Sequence, residues 1–270
     1  MTFILRIVTK TLVWYNVCMK RLTIILTLFL FFINASFAAP AKIVKKDIKV
    51  LTNDSFSICA TLEYPKSKQK EYSTVVFLHS LGYSSEWWEG LPEEFLDNGY
   101  AVLKIDLRGH GASVYNSKLV RLSWKSMTNT AYSKYPTDVI KVIEQVKSDN
   151  KKEFFNNWAI VGSDIGASTG ILVANKIAYK PKTIVMLSPV VSTKGLYIPV
   201  KLAELDNIDI LTISGDGDTQ GQNAQEYLKK FAQSQFAIYI SESRSSGMIM
   251  LKKDKSLISF IKSWVDQYLK

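Results

Sequence analysis

Chemistry that needs a histidine base has two places to find one in this 270-residue chain, His79 and His110. Histidine titrates nearest neutral pH, which is why hydrolytic enzymes use it as a general base. No His occurs after residue 110. Histidine this scarce, with no Cys pair beside it, leaves no metal-ligand spacing. Neither G-x-x-x-x-G-K nor G-x-G-x-x-G is present to cradle a phosphate. The sequence therefore implies no metal and no cofactor. Carboxylates are the remaining candidates. Asp164 lies within Gly162-Ser163-Asp164-Ile165-Gly166, and Asp216 and Asp218 lie within Ser214-Gly215-Asp216-Gly217-Asp218. Asp-Gly is also a turn signal, so the last two serve equally well as turn residues.

The elements that must position these groups can be read from the apolar pattern. At 47% hydrophobic and 21% charged residues, the chain is neither disordered nor collagen-like. Residues 43–51 and 56–64 read as two strands joined at Asn53-Asp54. Thr74-Val75-Val76-Phe77-Leu78-His79 is a continuous apolar run, as a strand buried on both faces should be. A helix is expected over 85–97, ending at Asn98-Gly99, and a strand over 101–106. Helix 136–148 carries Val139, Ile140, Val142, Ile143 and Val146 on one face. Strand 158–162, helix 166–178, strands 183–187 and 209–214, helix 222–232, strand 236–241 and helix 255–269 complete the alternation. Such alternation predicts a mostly parallel sheet with helices on both faces and an antiparallel start.

The first 38 residues read differently. Lys20-Arg21 precedes an uncharged apolar run over 22–33, and Ser36 and Ala38 follow as small residues. This is the pattern of a secretory signal peptide cleaved after Ala38, with an uncleaved anchor as the competing reading. Met19-Lys20-Arg21 is itself a natural start for such a signal, so translation is expected to begin at Met19. The protein is then exported, periplasmic or secreted, and residues 39–270 form a single domain without a membrane span. Residues 1–38 hold four basic groups (Arg6, Lys10, Lys20, Arg21) and no acidic one, so removing them lowers the formal charge from +10 to +6. The lysines are scattered among acids, which argues against nucleic acid as a partner. Cys59 would be the only Cys left, expected as a buried, inert thiol in a strand.

Four segments together resemble the α/β-hydrolase superfamily, nearest to its small bacterial members without a lid domain. They are Leu78-His79-Ser80-Leu81-Gly82, Asp106-Leu107-Arg108-Gly109-His110-Gly111-Ala112-Ser113, Gly162-Ser163-Asp164-Ile165-Gly166 and Ser214-Gly215-Asp216-Gly217-Asp218. The resemblance covers residues 43–270. It implies the α/β-hydrolase fold, a mostly parallel central sheet of about eight strands with helices on both faces.

It also assigns positions. The nucleophile elbow is G-x-S-x-G on a tight strand-to-helix turn. Here Gly162 and Gly166 flank Asp164 at the nucleophile position. Asp218, with Asp216 second, takes the acid position. Ser246 lies at the position of the family's late His, within a stretch, 241–248, that has none. Leu81 and Ile165 would supply the oxyanion-hole N–H groups. His79, Asp106, Arg108 and His110 belong to structural motifs, although a charge pair between His79 and Asp164 is conceivable. Gly166-Ala167-Ser168-Thr169-Gly170 also fits G-x-S-x-G, but Ser168 there would push Asp164 into a buried strand, so it reads as a helix residue. Trp87, Trp88 and Trp124 are candidates to line the cleft or to fill the core. Residues 189–207 are too few for a large cap.

Three functions remain. The first is binding of an unidentified small molecule or envelope partner without Ser-His-Asp catalysis. The second is hydrolysis of an ester, epoxide or halide with Asp164 as nucleophile, as in haloalkane dehalogenases and epoxide hydrolases. The third is a structural or interaction module of the cell envelope.

Overall fold

The computed structural model describes residues 42–149 and 152–270; the expected signal segment and start at Met19 lie outside them. Continuous apolar runs become the centre of the sheet. The strands are β1 (Ile43–Leu51), β2 (Ser57–Pro65), β3 (Thr74–Leu78), β4 (Ala101–Ile105), β5 (Trp158–Ser163), β6 (Thr183–Leu187), a short hairpin β7 (Ser192–Thr193) and β8 (Leu196–Tyr197), then β9 (Asp209–Gly215) and β10 (Phe236–Ser241). Eight of them form one sheet in the order β1-β2-β4-β3-β5-β6-β9-β10. β2 runs antiparallel to β1 and β4, and every other pairing is parallel. β3, β5 and β6 are buried along their whole length, as strands covered on both faces must be.

The period-2 alternation of side chains divides these runs between two cores. Val76, Leu78, Ile160, Ile184 and Met186 pack on one face. Val75, Phe77, Val161, Val185 and Leu187 pack on the other. The helices follow suit. α1 is Leu91–Asp97, α2 Asn129–Tyr132, α3 Tyr135–Asp149, α4 Ile165–Lys176, α5 Pro199–Ala203, α6 Thr219–Lys229, α7 Ile249–Lys253 and α8 Ser256–Leu269. Val139, Val142, Ile143 and Val146 of α3 and Ile171 and Val173 of α4 cover the first face. Leu91 and Phe95 of α1 and Leu257, Ile261 and Val265 of α8 cover the second.

Three segments of the sequence reading are shaped by local causes. The helix expected over 85–97 begins only at Leu91, because Glu89 (φ 48°) and Gly90 (φ 84°) adopt left-handed backbone that no helix continues through. Residues 189–207 carry the β7–β8 hairpin and α5. Leu196, Ile198 and Leu202 tie that segment to the core, so it forms no cap. Cys59 is half-buried where the sequence reading expected it buried; its Sγ lies 3.5 Å from the Ala112 carbonyl, and burial pushes its pKa up. Among the described residues no helix is long and apolar enough to cross a membrane.

Arg108 ties three segments together. Its guanidinium makes a two-pronged contact with Asp138 at the start of α3 (2.8 and 2.9 Å) and another with Asp54 in the β1–β2 turn (2.8 and 2.9 Å). It also stacks 4.4 Å above the Phe56 ring. Arg108 is 3% exposed, and its charge holds the Asp54 carboxyl far below the usual range. Replacing Arg108 with Ala would leave Asp138 buried without its counter-ion, a loss of about 3–5 kcal/mol. The expected result is a large drop in the urea midpoint at unchanged slope; a shift equivalent to under about 1 kcal/mol would contradict it.

Candidate functional site

The site begins at the end of β5. Gly162 ends the apolar run, Ser163 adds one buried residue, and Asp164 turns the chain into α4 with φ 50° and ψ −116°. That conformation is strained for a residue with a Cβ. It holds because α4 is pressed against the neighbouring strand. A Cβ on Gly166 would come within 2.0 Å of the Leu78 carbonyl, and one on Gly162 within 2.6 Å of the Ala167 Cα. Only glycine permits both approaches.

Raised on this turn, Asp164 faces a cleft of about 400 Å³ beyond the carboxyl ends of the strands. Asp164, Asp218, Ser246 and Leu81 all line it, together with Ser80, Ser188 and Tyr83. Residues from five separate loops, those after β3, β5, β6, β9 and β10, therefore meet here. No Lys, Arg or His lines the cleft, although the whole chain carries a formal charge of +10.

Asp164 does not reach toward a histidine. Its Oδ2 accepts the Leu81 N–H at 3.2 Å, and the Ile165 N–H also stabilises its charge. The resemblance assigns these two amides to an oxyanion; here the carboxylate takes the Leu81 N–H for itself. Burial raises the Asp164 pKa, the two amides oppose the rise, and the negative charge of Asp218 adds to it. Asp218 caps α6: its Oδ1 accepts the Gly221 N–H at 2.9 Å, while its Oδ2 is buried without a partner. Asp216 is exposed.

Both histidines brace backbone instead. His79 is fully buried; its Nε2 accepts the Leu107 N–H at 2.9 Å and its Nδ1 donates to the Ser80 carbonyl at 2.8 Å. The conceivable His79–Asp164 pair is thus not formed, because both ring nitrogens are already engaged by main chain. His110 accepts the Gly82 N–H at 3.0 Å through Nε2, donates to the Arg108 carbonyl at 3.1 Å and stacks on Trp124. Burial holds the pKa of each ring below the ordinary imidazole value. Asp106 accepts the Ser85 and Ala112 N–H groups at 2.8 and 2.7 Å, closing the same loop.

Where a late His would reach in, the loop after β10 comes down as backbone. Ser246 is exposed on the rim, and Gly247 (φ 58°) lies beneath it, its N–H donating to Ser188 Oγ at 2.6 Å. A Cβ on Gly247 would meet Ser163 Oγ and Ser80 Oγ, each at 3.0 Å. Those two hydroxyls share a hydrogen bond of 2.7 Å. Ser168 is buried in α4, its Oγ 3.4 Å from the Val190 carbonyl, and does not reach the cleft. None of the three tryptophans lines the cleft: Trp88 is core, Trp87 packs edge-on against Tyr83, and Trp124 covers His110. Ser188 and Tyr83 are the residues sequence reasoning missed. Ser188-Pro189 after a strand is a turn signal, but nothing local marks Ser188 as the anchor of Gly247.

An elbow at the carboxyl end of a central parallel strand, flanked by an amide-bearing turn, defines an α/β-hydrolase. Residues 69–243 match the sequence model of the family described as serine aminopeptidase, S33, and the chain belongs to that family. The fold is shared with an esterase from Exiguobacterium antarcticum (14% identity, TM-score 0.60, 82% of this chain and 100% of that one). It is shared with an esterase from Pyrococcus furiosus (14% identity, TM-score 0.64, 85% and 92%). It is also shared with a dienelactone hydrolase from Anabaena variabilis (14% identity, TM-score 0.64, 84% and 99%). No curated protein matches the sequence significantly.

The close packing of Gly166 on Leu78 generates a prediction. Gly166→Ala should destabilise the protein by roughly 3 kcal/mol or more through overpacking against main chain. Thermal melting checks it, with Gly99→Ala beside it to show the cost of left-handed strain (φ 89°) where a Cβ would meet nothing within 4 Å.

Proposed function

We propose that this α/β-hydrolase-family protein is exported and holds a small molecule or an envelope partner in its cleft without Ser-His-Asp catalysis. Export is supported by Lys20-Arg21, the apolar run 22–33 and the small residues Ser36 and Ala38. The observation that carries the rest is the Asp164 carboxylate seated on the Leu81 N–H. An ester or amide oxygen entering the oxyanion position would have to displace a negative charge from its donors. No imidazole lines the cleft to accept a proton from a nucleophile or a water. A base and a nucleophile act as a unit, so a site lacking both retains only what binding provides. The two carboxylates and the lack of basic lining residues also disfavour anionic ligands.

The test is hydrolysis of short-chain p-nitrophenyl esters. Wild type should match the rate of buffer, and Asp164→Ala should change nothing. Robust turnover that Asp164→Ala abolishes would overturn the proposal.

A second reading has one observation in its favour: Asp164 presents a carboxylate to the cleft on an elbow, where it could attack an electrophilic carbon. The resulting ester needs a His-activated water to clear, and both histidines are committed to main chain. Mass spectra after exposure to halide and epoxide panels are expected to show no adduct on Asp164. An adduct that forms and clears at an enzymatic rate would establish this reading instead.

A further inference from the structure

Besides the Ser80 Oγ–Ser163 Oγ bond, the turn that closes on Asp164 is held by three groups that titrate. Leu81 N–H rests on the Asp164 carboxylate, and Gly82 N–H rests on His110 Nε2. The Ser80 carbonyl rests on His79 Nδ1, whose other nitrogen accepts from Leu107. Each His must be neutral, with its proton on Nδ1, for these bonds to form, because Nδ1 faces a carbonyl and Nε2 faces an N–H. The two rings lie 5.0 Å apart, centroid to centroid.

We propose that the Ser80–Tyr83 turn is an acid-released latch: closed over the Asp164 carboxylate near neutral pH, and freed when His79 and His110 take up protons. The latch acts on the same cleft as the function proposed above, and its test reads neither ligand nor turnover, so the two stand or fall separately.

Protonation sets N–H against N–H twice, at His79–Leu107 and at His110–Gly82. It also places two cations side by side in the interior. The charged groups facing the pair are few. Asp106 faces both rings and favours their protonated forms, but each of its oxygens is already engaged, by Ser85 and Ala112. The Tyr135 hydroxyl lies 3.4 Å from His110 Nδ1 and donates to the Arg108 carbonyl. Lys125 sits over Trp124, the ring stacked on His110, and opposes a further positive charge. Asp218 is the charged group facing Asp164.

The sign follows from linkage. In the closed turn burial pushes both imidazoles below their ordinary 6.5, His79 to about 4. Opening hydrates them and returns them toward that value. The closed form therefore binds fewer protons, and it loses ground as pH falls below 6.5. Asp164 does not add to this: burial in the closed turn raises its pKa above the ordinary 3.8, so its own proton uptake favours the closed form and the release rests on the two histidines. The turn has the freedom to respond, since Gly82 is exposed and Leu81 and Tyr83 are half-exposed, while β5 and β6 are buried throughout.

The experiment is an imidazole nitrogen NMR titration of the protein from pH 7.5 to 3.5, read beside amide hydrogen-exchange protection corrected for intrinsic rate. With only two histidines in the sequence, both rings are resolved. At pH 7.5 each should show a protonated Nδ1 and a bare Nε2. Both should then titrate below 6.5, and Leu81 and Gly82 should lose about tenfold or more in protection with the same midpoint. Amides of β5 and β6 should keep theirs. His110→Gln, which offers a neutral acceptor at every pH, should make Gly82 protection nearly independent of pH in this window. Histidines titrating at the free value overturn the proposal, as do turn amides still protected after both protonations or turn and sheet opening together. Should His110→Gln fail to fold, the wild-type titration decides alone.

Discussion

The approach of Gly166 to the carbonyl ends of β3 fixes the rest of the site. Helix α4 can start where it does only because nothing projects from that position toward Leu78 and His79. The chain leaving β5 must then reverse within one residue, which forces Asp164 into left-handed backbone. Reversal there lifts the side chain off the sheet, and the same contact brings the turn after β3 within hydrogen-bond reach. The Leu81 N–H thus meets the Asp164 carboxylate as a consequence of packing, with both ends set by the sheet. Strain at one residue is maintained by close packing around it.

A serine at that position would leave the two amides free for a substrate oxygen. The carboxylate instead occupies the Leu81 amide from within. With Asp218 facing Asp164 and no basic side chain in the lining, carboxylates are the only charged groups lining the cleft of a basic chain. The two histidines that do exist serve the scaffold. Each spends both ring nitrogens on main chain, one beneath the oxyanion turn and one behind it. Their neutrality is a structural requirement, and it makes the turn responsive to acid.

The sheet was legible because its central strands are continuous apolar runs with few competing periods. Strand 183–187 and strand 236–241 lie where alternation with helices puts them. The start of α1 was not legible, since its six-residue delay depends on left-handed backbone at Glu89, a residue type with no preference for it. The β7–β8 hairpin and α7 are too short for periodicity to register. Within the site, the positions of Asp164, Asp218 and Ser246 around one cleft were readable from motif order. Ser188 was not, because its role is a single bond to Gly247, 59 residues away.

Two facts belong to the sequence alone: the elbow frame carries Asp164 instead of serine, and no histidine follows residue 110. No fold can supply a side chain that the chain lacks, so both facts hold whatever the geometry. What the Asp164 carboxylate does was decided only by tertiary structure. Its partner is an amide 83 residues earlier, delivered by a parallel strand crossing that local pattern does not encode. The same holds for His79, which a linear reading could place beside Asp164. In the folded chain the backbone of Leu107 and Ser80 claims both its nitrogens first.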